Sequence, residues 1–90
     1  MQKYYNWDSD TVITIDDVKK AYEADDSWKE EYGNFDYYLE CCQDYNNGSL
    51  TRLEIMISRL KSKMCQYYKY EDSESAKELE LWIAQLEKEL

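Results

Sequence analysis

The last forty residues contain two runs in which apolar side chains recur three and four residues apart. The first run comprises Leu50, Leu53, Ile57, Leu60, Met64 and Tyr67, and the second comprises Ala76, Leu79, Ile83, Leu86 and Leu90. Because this spacing keeps one side of an α-helix apolar over several turns, it predicts two amphipathic helices with a coiled-coil-like seam. The polar link Glu71-Asp72-Ser73 is short, so we expect the helices to form an antiparallel hairpin.

Charge differs between the two predicted helices. Residues 51–70 carry five basic residues and one acidic residue, whereas residues 71–90 carry seven acidic residues and two lysines. Salt bridges along the flanks favour pairing within one chain, although each surface pair contributes only a few tenths of a kcal/mol. The same seams also suit a dimer of two chains, with Leu81 or Trp82 as extra contacts.

The first fifty residues also favour helices, since the chain has no proline and only two glycines, Gly33 and Gly48. The β-branched pair Val12-Ile13 favours a few residues of extended chain, but no pairing partner is evident. With 90 residues, the chain is long enough for one small domain. The predicted fold is therefore all-α: a single compact domain over residues 1–90 with about four helices, ending in the hairpin.

Polar side chains that can cap helix N-termini set the expected boundaries. The expected capping residues are Thr14 with Asp17, Ser27 with Glu30, Thr51 with Glu54, and Ser73 or Ser75. Together with the apolar spacing, they predict a first helix over roughly residues 15–25, one further turn over residues 27–32 and a short second helix that begins at Phe35 and is ended by Asn46-Asn47-Gly48.

The first half of the chain is strongly acidic and rich in aromatic residues. Residues 1–50 carry twelve Asp and Glu against four Lys, and the whole chain has a net charge of −9. A field of this sign repels nucleic acids and anionic membranes and attracts basic protein surfaces. Hydrophobic residues make up 43%, which is too high for a disordered acidic tail. Because the first fifteen residues contain no apolar run, we expect neither a signal peptide nor a membrane span, and we expect the protein to be cytoplasmic. Its charge argues against direct binding to a membrane or to nucleic acid.

Carboxylates spaced along helices can imitate phosphates, and rigid aromatic side chains dominate many protein interfaces. The residues expected to bind a partner are Asp8, Asp10, Asp16, Asp17, Glu23, Asp25, Asp26, Trp28, Glu30, Glu31, Tyr32, Asp36, Tyr37, Glu40 and Asp44. Further aromatic candidates are Tyr4, Tyr5, Trp7 and Tyr45. By contrast, Tyr22, Phe35 and Tyr38 lie on an apolar helix face and are expected in the core.

The residue types present argue against an enzyme. The chain has no His, which is the commonest general base, and no glycine-rich phosphate loop. Adjacent acids such as Asp16 and Asp17 point to different sides of a helix. The three cysteines, Cys41, Cys42 and Cys65, lack a zinc-type spacing and are expected to be buried free thiols. We predict no catalytic residue, no metal ligand and no cofactor.

Residues 6–17 resemble the calcium-binding loop of an EF-hand. The side chains in its oxygen-bearing positions would be Asn6, Asp8, Asp10, Thr14 and Asp17. The loop departs from the pattern because Thr11 stands where a sharp turn requires Gly, and too few residues precede it for an entering helix. A second stretch over residues 43–54 has Gln43 and Tyr45 in place of carboxylates. A degenerate EF-hand-like calcium or regulatory module is therefore one alternative.

In size, acidity, lack of His and aromatic content, the chain resembles the small inhibitors that phages and mobile elements make against bacterial defence nucleases, especially anti-CRISPR proteins. This resemblance implies a stoichiometric inhibitor that mimics DNA, occupies a basic groove of a CRISPR nuclease effector or similar protein, and blocks target recognition. It would act in the host cytoplasm as a monomer or homodimer. A second alternative is a helical adaptor that binds another protein through its Tyr-rich face.

Overall fold

The computed structural model describes residues 2–90, which form three short strands and five α-helices. In chain order these are β1 (Lys3–Asn6), β2 (Thr11–Thr14), α1 (Ile15–Ala24), α2 (Asp26–Tyr32), α3 (Phe35–Cys42), a 3₁₀ turn (Asp44–Asn46), β3 (Leu50–Arg52), α4 (Leu53–Lys69) and α5 (Ser73–Glu87). The chain divides into two compact units, the first ending at Arg52 and the second running from Leu53 to Leu90. The single domain over residues 1–90 stays a prediction.

A three-stranded antiparallel sheet makes the protein mixed α/β, so the all-α prediction is wrong. Strand β1 lies in the centre, with β2 on one side and β3 on the other. Tyr4 of β1 is opposite Ile13 of β2 and Arg52 of β3. The extended chain expected at Val12-Ile13 does form, and its partner is the N-terminal segment. Tyr side chains favour strands, but four residues are too few to give a clear alternating pattern.

The core of the first unit lies between the sheet and helices α1 and α3. Its buried residues are Tyr4, Val18, Tyr22, Tyr38 and Leu50. Burial of Tyr22 and Tyr38 confirms the expectation from the apolar helix faces, and Phe35 packs against them while partly buried. Leu50 is a correction, because it lies in β3 and packs in this core instead of starting the hairpin seam.

The two glycines occupy connections where a side chain is disfavoured. Gly33 ends α2 with φ of +79°, and its N–H donates to the Lys29 carbonyl. Gly48 follows the 3₁₀ turn, where a Cβ atom would collide with the backbone carbonyl of Cys42. Close backbone approach therefore requires Gly at position 48, whereas backbone conformation requires it at position 33.

The second unit contains the predicted antiparallel hairpin of α4 and α5. Lys61 Nζ lies 3.5 Å from Glu87 Oε1, and the Tyr68 hydroxyl donates to Glu80 Oε2 at 3.2 Å. Lys61 lies in the middle of α4 and Glu87 at the end of α5, whereas Tyr68 lies at the end of α4 and Glu80 in the middle of α5. The two helices therefore run in opposite directions. The buried seam residues are Leu53, Ile57, Leu60, Ala76, Ile83 and Leu86. Leu90 lies beyond α5 and is exposed, contrary to the seam prediction.

Helix capping agrees with the sequence at α1 and differs elsewhere. The Asp17 N–H donates to Thr14 Oγ1 at 3.2 Å and the Thr14 N–H donates to Asp17 Oδ2 at 2.9 Å, which confirms the capping box. Helix α2 is capped by Asp25 rather than Ser27, and α5 by Asp72 rather than Ser73 or Ser75. In both cases an Asp precedes the predicted Ser, and a carboxylate is a stronger acceptor at a helix N-terminus.

Thr51 does not cap α4, because it is a buried residue of β3. Its hydroxyl accepts a hydrogen bond of 2.8 Å from Trp7 Nε1. Within residues 2–90, no helix has the length and apolar character that crossing a membrane requires.

Candidate protein-binding surface

The twelve acidic side chains proposed from sequence as a binding surface belong to the first unit. Eleven are exposed and Asp44 is partly buried. On α1, Asp16 and Glu23 are seven residues apart and therefore share one helix face. Acids four residues apart also share a face on α2, through Asp26 and Glu30, and on α3, through Asp36 and Glu40. Each of the three helices thus presents a row of negative charge to solvent.

Two of these carboxylates have a structural role that their charge alone does not reveal. Asp17 completes the capping box with Thr14, and Asp25 accepts hydrogen bonds from the Ser27 N–H at 3.0 Å and the Ser27 hydroxyl at 2.6 Å. Hydrogen bonds from Thr14 lower the pKa of Asp17, and those from Ser27 lower the pKa of Asp25. Both carboxylates therefore stabilise helix N-termini in their ionised form.

Three more candidate acids already have partners within the first unit. Asp10 accepts from the Tyr5 hydroxyl at 3.1 Å, and Glu40 accepts from the Tyr45 hydroxyl at 2.6 Å. Asp26 forms an exposed ion pair with Lys29, with 3.5 Å between Oδ1 and Nζ. These three acids bind groups of the protein itself, so their carboxylates are less available to a partner.

Six of the acids retain unoccupied carboxylates: Asp8, Glu31 and four that belong to the rows on α1, α2 and α3. Within residues 2–90, Asp16, Glu23, Glu30 and Asp36 are exposed and make no hydrogen bond or ion pair. We call them the free carboxylates. They lie on α1, α2 and α3, so all three helices of the first unit contribute. A partner that binds them displaces only water, because no internal contact has to break.

The predicted aromatic residues meet in one cluster around Tyr38. The Trp28 ring stacks on Tyr38 with centroids 5.3 Å apart, and the Tyr32 ring meets Tyr38 edge-on at 5.2 Å. Tyr37 lies 6.0 Å from Tyr32 and is 55% exposed, while Trp28 is 36% exposed. The cluster therefore holds Trp28 and Tyr37 in place while leaving part of each ring accessible to a partner.

Tyr38 itself was predicted as a core residue and not as an organiser of the surface rings. It is 8% exposed, and desolvation by burial raises its pKa, as does the nearby Cys42 thiol. Its ring also contacts Tyr22 at 5.1 Å. The 3- and 4-residue spacing of Phe35, Tyr38 and Cys42 indicated one apolar face, but the contact between α2 and α3 that brings Trp28 onto Tyr38 depends on tertiary packing.

Tyr4 and Tyr5 are not partner anchors, contrary to the sequence-based expectation. They are 4% and 5% exposed, respectively. Neighbouring strand residues point to opposite faces, so both faces of β1 are covered at this position. Trp7 and Tyr45 are exposed, but each already has a hydrogen bond, Trp7 with Thr51 and Tyr45 with Glu40.

The cysteines are free, but they are not all buried as expected. Cys41 and Cys42 are half-buried and Cys65 is exposed. Desolvation raises the pKa of the Cys42 thiol, although a hydrogen bond with Tyr38 opposes this shift. A raised pKa lowers the thiolate fraction, so Cys42 lacks the activation that a nucleophile requires.

The EF-hand-like segment folds as a hairpin rather than a loop between two helices. Asn6 ends β1, Thr14 ends β2, and the segment finishes in the first turn of α1. Two of the supposed ligands, Asp10 and Asp17, bind Tyr5 and Thr14 instead. In the described part of the chain, no group of three or more His, Cys, Asp or Glu side chains is placed to hold a metal ion. The geometry of this segment therefore gives the calcium-binding alternative no support.

The Asp17 and Asp25 caps predict a loss of stability in acid. Because the pKa of each is lowered in the folded state, the stabilisation is complete above the unfolded value of about 3.9 and is lost as the pH falls through the lowered value. We expect the melting temperature of the wild type to fall more steeply between about pH 5 and pH 3 than that of a double variant, Asp17→Asn with Asp25→Asn. Circular dichroism melts at several pH values measure this difference.

The control for this prediction is the pair Asp16→Asn and Asp36→Asn, which removes the same number of charges from side chains without hydrogen bonds. We expect this control to follow the wild-type pH dependence. Equal curves for the wild type and the Asp17 and Asp25 variant would contradict the role of the caps.

The first unit thus combines free carboxylates on three helices with two partly exposed, well-packed aromatic rings. Such a surface suits a basic partner that offers cations and flat apolar or aromatic groups. Comparisons of the chain with protein-family models, curated proteins and solved structures find no match.

Proposed function

We propose that the protein is a stoichiometric inhibitor that binds the basic nucleic-acid-binding groove of a defence nuclease and blocks recognition of target DNA, as the anti-CRISPR-like class it resembles does. The observation that supports this function is the set of free carboxylates on α1, α2 and α3 beside the accessible rings of Trp28 and Tyr37. Binding requires no catalytic step.

The spacing of the acids suits a groove that holds a phosphate backbone. Residues four and seven apart on a helix are separated by about 6 Å and 10 Å along its axis. Salt screens the attraction between these exposed carboxylates and the Lys and Arg side chains of a nucleic-acid groove, so binding of a mimic should weaken steeply as salt rises. The aromatic rings supply stacking surfaces of the kind that such grooves offer to bases.

The proposal is tested by reversing the free carboxylates in the variant Asp16→Lys, Glu23→Lys, Glu30→Lys, Asp36→Lys. The matched control is Glu54→Lys, Glu71→Lys, Glu74→Lys, Glu78→Lys, which reverses four exposed acids of the second unit that also lack hydrogen bonds and ion pairs. Each reversal adds two charge units, so both variants change the net charge by the same amount from −9. Asp17 and Asp25 are left intact because their reversal would remove helix caps.

The measurement is a pull-down of tagged wild type and both variants from bacterial lysates that express CRISPR effectors and restriction enzymes, washed at about 50 mM and about 500 mM salt. We expect the wild type and the control to capture a nuclease that high salt or cognate DNA displaces, with at least a tenfold loss for the free-carboxylate variant. Equal capture by both variants would refute mimicry by these acids. Capture of a protein that resists both high salt and DNA would favour the adaptor function.

A further inference from the structure

The hairpin of α4 and α5 carries an open groove along one side. The groove has a volume of about 440 Å³, and its lining includes Lys61, Met64, Cys65, Ile83, Ala84 and Glu87. A second depression of about 490 Å³ adjoins it on α5 and shares Ala84 and Glu80. Leu81 lines this second depression and is 68% exposed. The two depressions make one continuous apolar strip that is accessible to solvent.

On α4, the strip lies on the half of the helix nearest the turn between α4 and α5. Lys61 pairs with Glu87 at one end of the groove, and Tyr68 pairs with Glu80 at the other end. Between these contacts, Cys65 of α4 and Ala84 of α5 are both exposed. The floor between the two contacts is apolar and small. The end with Lys61 and Glu87 carries charges of both signs, and the end with Tyr68 and Glu80 carries the Glu80 carboxylate. This arrangement resembles the surface of one half of a four-helix bundle.

The charges of the two helices determine which partner fits the strip. Helix α4 has four basic residues and one acidic residue, whereas α5 has four acidic residues and one basic residue. Any surface that covers both helices must offer negative charge opposite α4 and positive charge opposite α5. A second copy of the same hairpin meets this requirement when its α5 lies over α4 and its α4 lies over α5.

We propose that a second copy of this chain occupies the groove, so that two hairpins form an antiparallel four-helix bundle. The two-fold axis runs parallel to the helices, which places each basic α4 against the partner's acidic α5. A two-fold axis across the helices would instead stack α4 on α4 and α5 on α5, where like charges repel. Charge thus selects one of the two face-to-face arrangements.

The available area predicts a weak dimer. A helix of 17 residues is about 25 Å long and two packed helices are about 20 Å wide, so each hairpin offers about 500 Å². The total of about 1,000 Å² is at the lower limit for a specific interface. We therefore expect a dimer that dissociates on dilution into the low micromolar range.

Sedimentation equilibrium of the full chain at about 5 to 200 μM tests the proposal, with variants on both helices. Ala84→Glu and Cys65→Glu each place a charged side chain in the groove. Their controls, Gln85→Glu and Ser62→Glu, add the same charge at exposed positions of the same helices that do not line the groove. Circular dichroism checks that each variant keeps the wild-type helix content.

We expect the wild type and both controls to dimerise, and both groove variants to bind at least tenfold more weakly at unchanged helix content. A wild type that is monomeric at all concentrations would overturn the proposal. A dimer that persists in both groove variants would also overturn it, because the contact would then lie elsewhere. Since the free carboxylates do not line this groove, these outcomes are independent of nuclease binding.

Discussion

Tyr38→Ala is expected to destabilise the protein by about 3 to 5 kcal/mol, which is the usual cost of removing a buried aromatic ring. Tyr38 contacts the rings of Tyr22, Trp28, Tyr32 and Phe35 at centroid distances of 5.1 to 6.4 Å. Its loss leaves a cavity where α1, α2 and α3 meet. A chain of this length has a total stability of roughly 5 to 13 kcal/mol, so the variant is expected to lose a large share of it.

Urea denaturation followed by circular dichroism measures this effect. Tyr38→Phe keeps the ring contacts and removes only the hydroxyl, so its loss should be limited to about 1 kcal/mol. Tyr37→Ala is a second control, because Tyr37 is 55% exposed and its ring lies at the edge of the cluster, 6.0 Å from the Tyr32 ring. Equal losses for Tyr38→Ala and Tyr37→Ala would contradict the central position of Tyr38.

Gly48→Ala is expected to cost about 3 kcal/mol or more, since the new methyl group would occupy the position of the Cys42 carbonyl. Neither group is at the end of a flexible side chain, so the backbone of α3 or of the turn must move. The movement would also disturb the Gly48 N–H, which donates to the Gln43 carbonyl at 2.9 Å. The strand β3 begins two residues later and would lose its position beside β1.

Asn47→Ala is the matched control in the same turn. Asn47 has φ of +63° and is exposed. Ala at this position loses only the tolerance of Asn for the left-handed backbone conformation, so we expect the free energy of unfolding to fall by about 1 kcal/mol. Urea denaturation of both variants gives the comparison. If Gly48→Ala were no more costly than Asn47→Ala, the close approach of Gly48 to Cys42 would be wrong.

The binding surface was only partly predictable from sequence. Net charge and composition indicated that the acids face solvent, because a charged side chain cannot be buried without a partner. They did not separate the free carboxylates from Asp25, which caps α2, or from Glu40, which binds Tyr45. That separation depends on which donor each carboxylate meets.

Local patterns in the sequence determined the helices of this protein. The capping box of Thr14 and Asp17, the glycine at position 33 and the apolar seams each act over one or two helical turns, so a short window of sequence contains the whole signal. The antiparallel hairpin follows from the same kind of signal, because its link is short and its two helices carry opposite charge.

Only the tertiary structure decided the sheet. Tyr4 and Arg52 are opposite each other in the sheet although they lie near the two ends of the first unit in sequence. Neither short strand is stable or recognisable alone. This pairing buries Tyr4 and Leu50 in the core and removes both Tyr4 and Tyr5 from the candidate anchors. Helix signals are local because helix hydrogen bonds join residues four apart, whereas strand hydrogen bonds join segments that only the folded chain brings together.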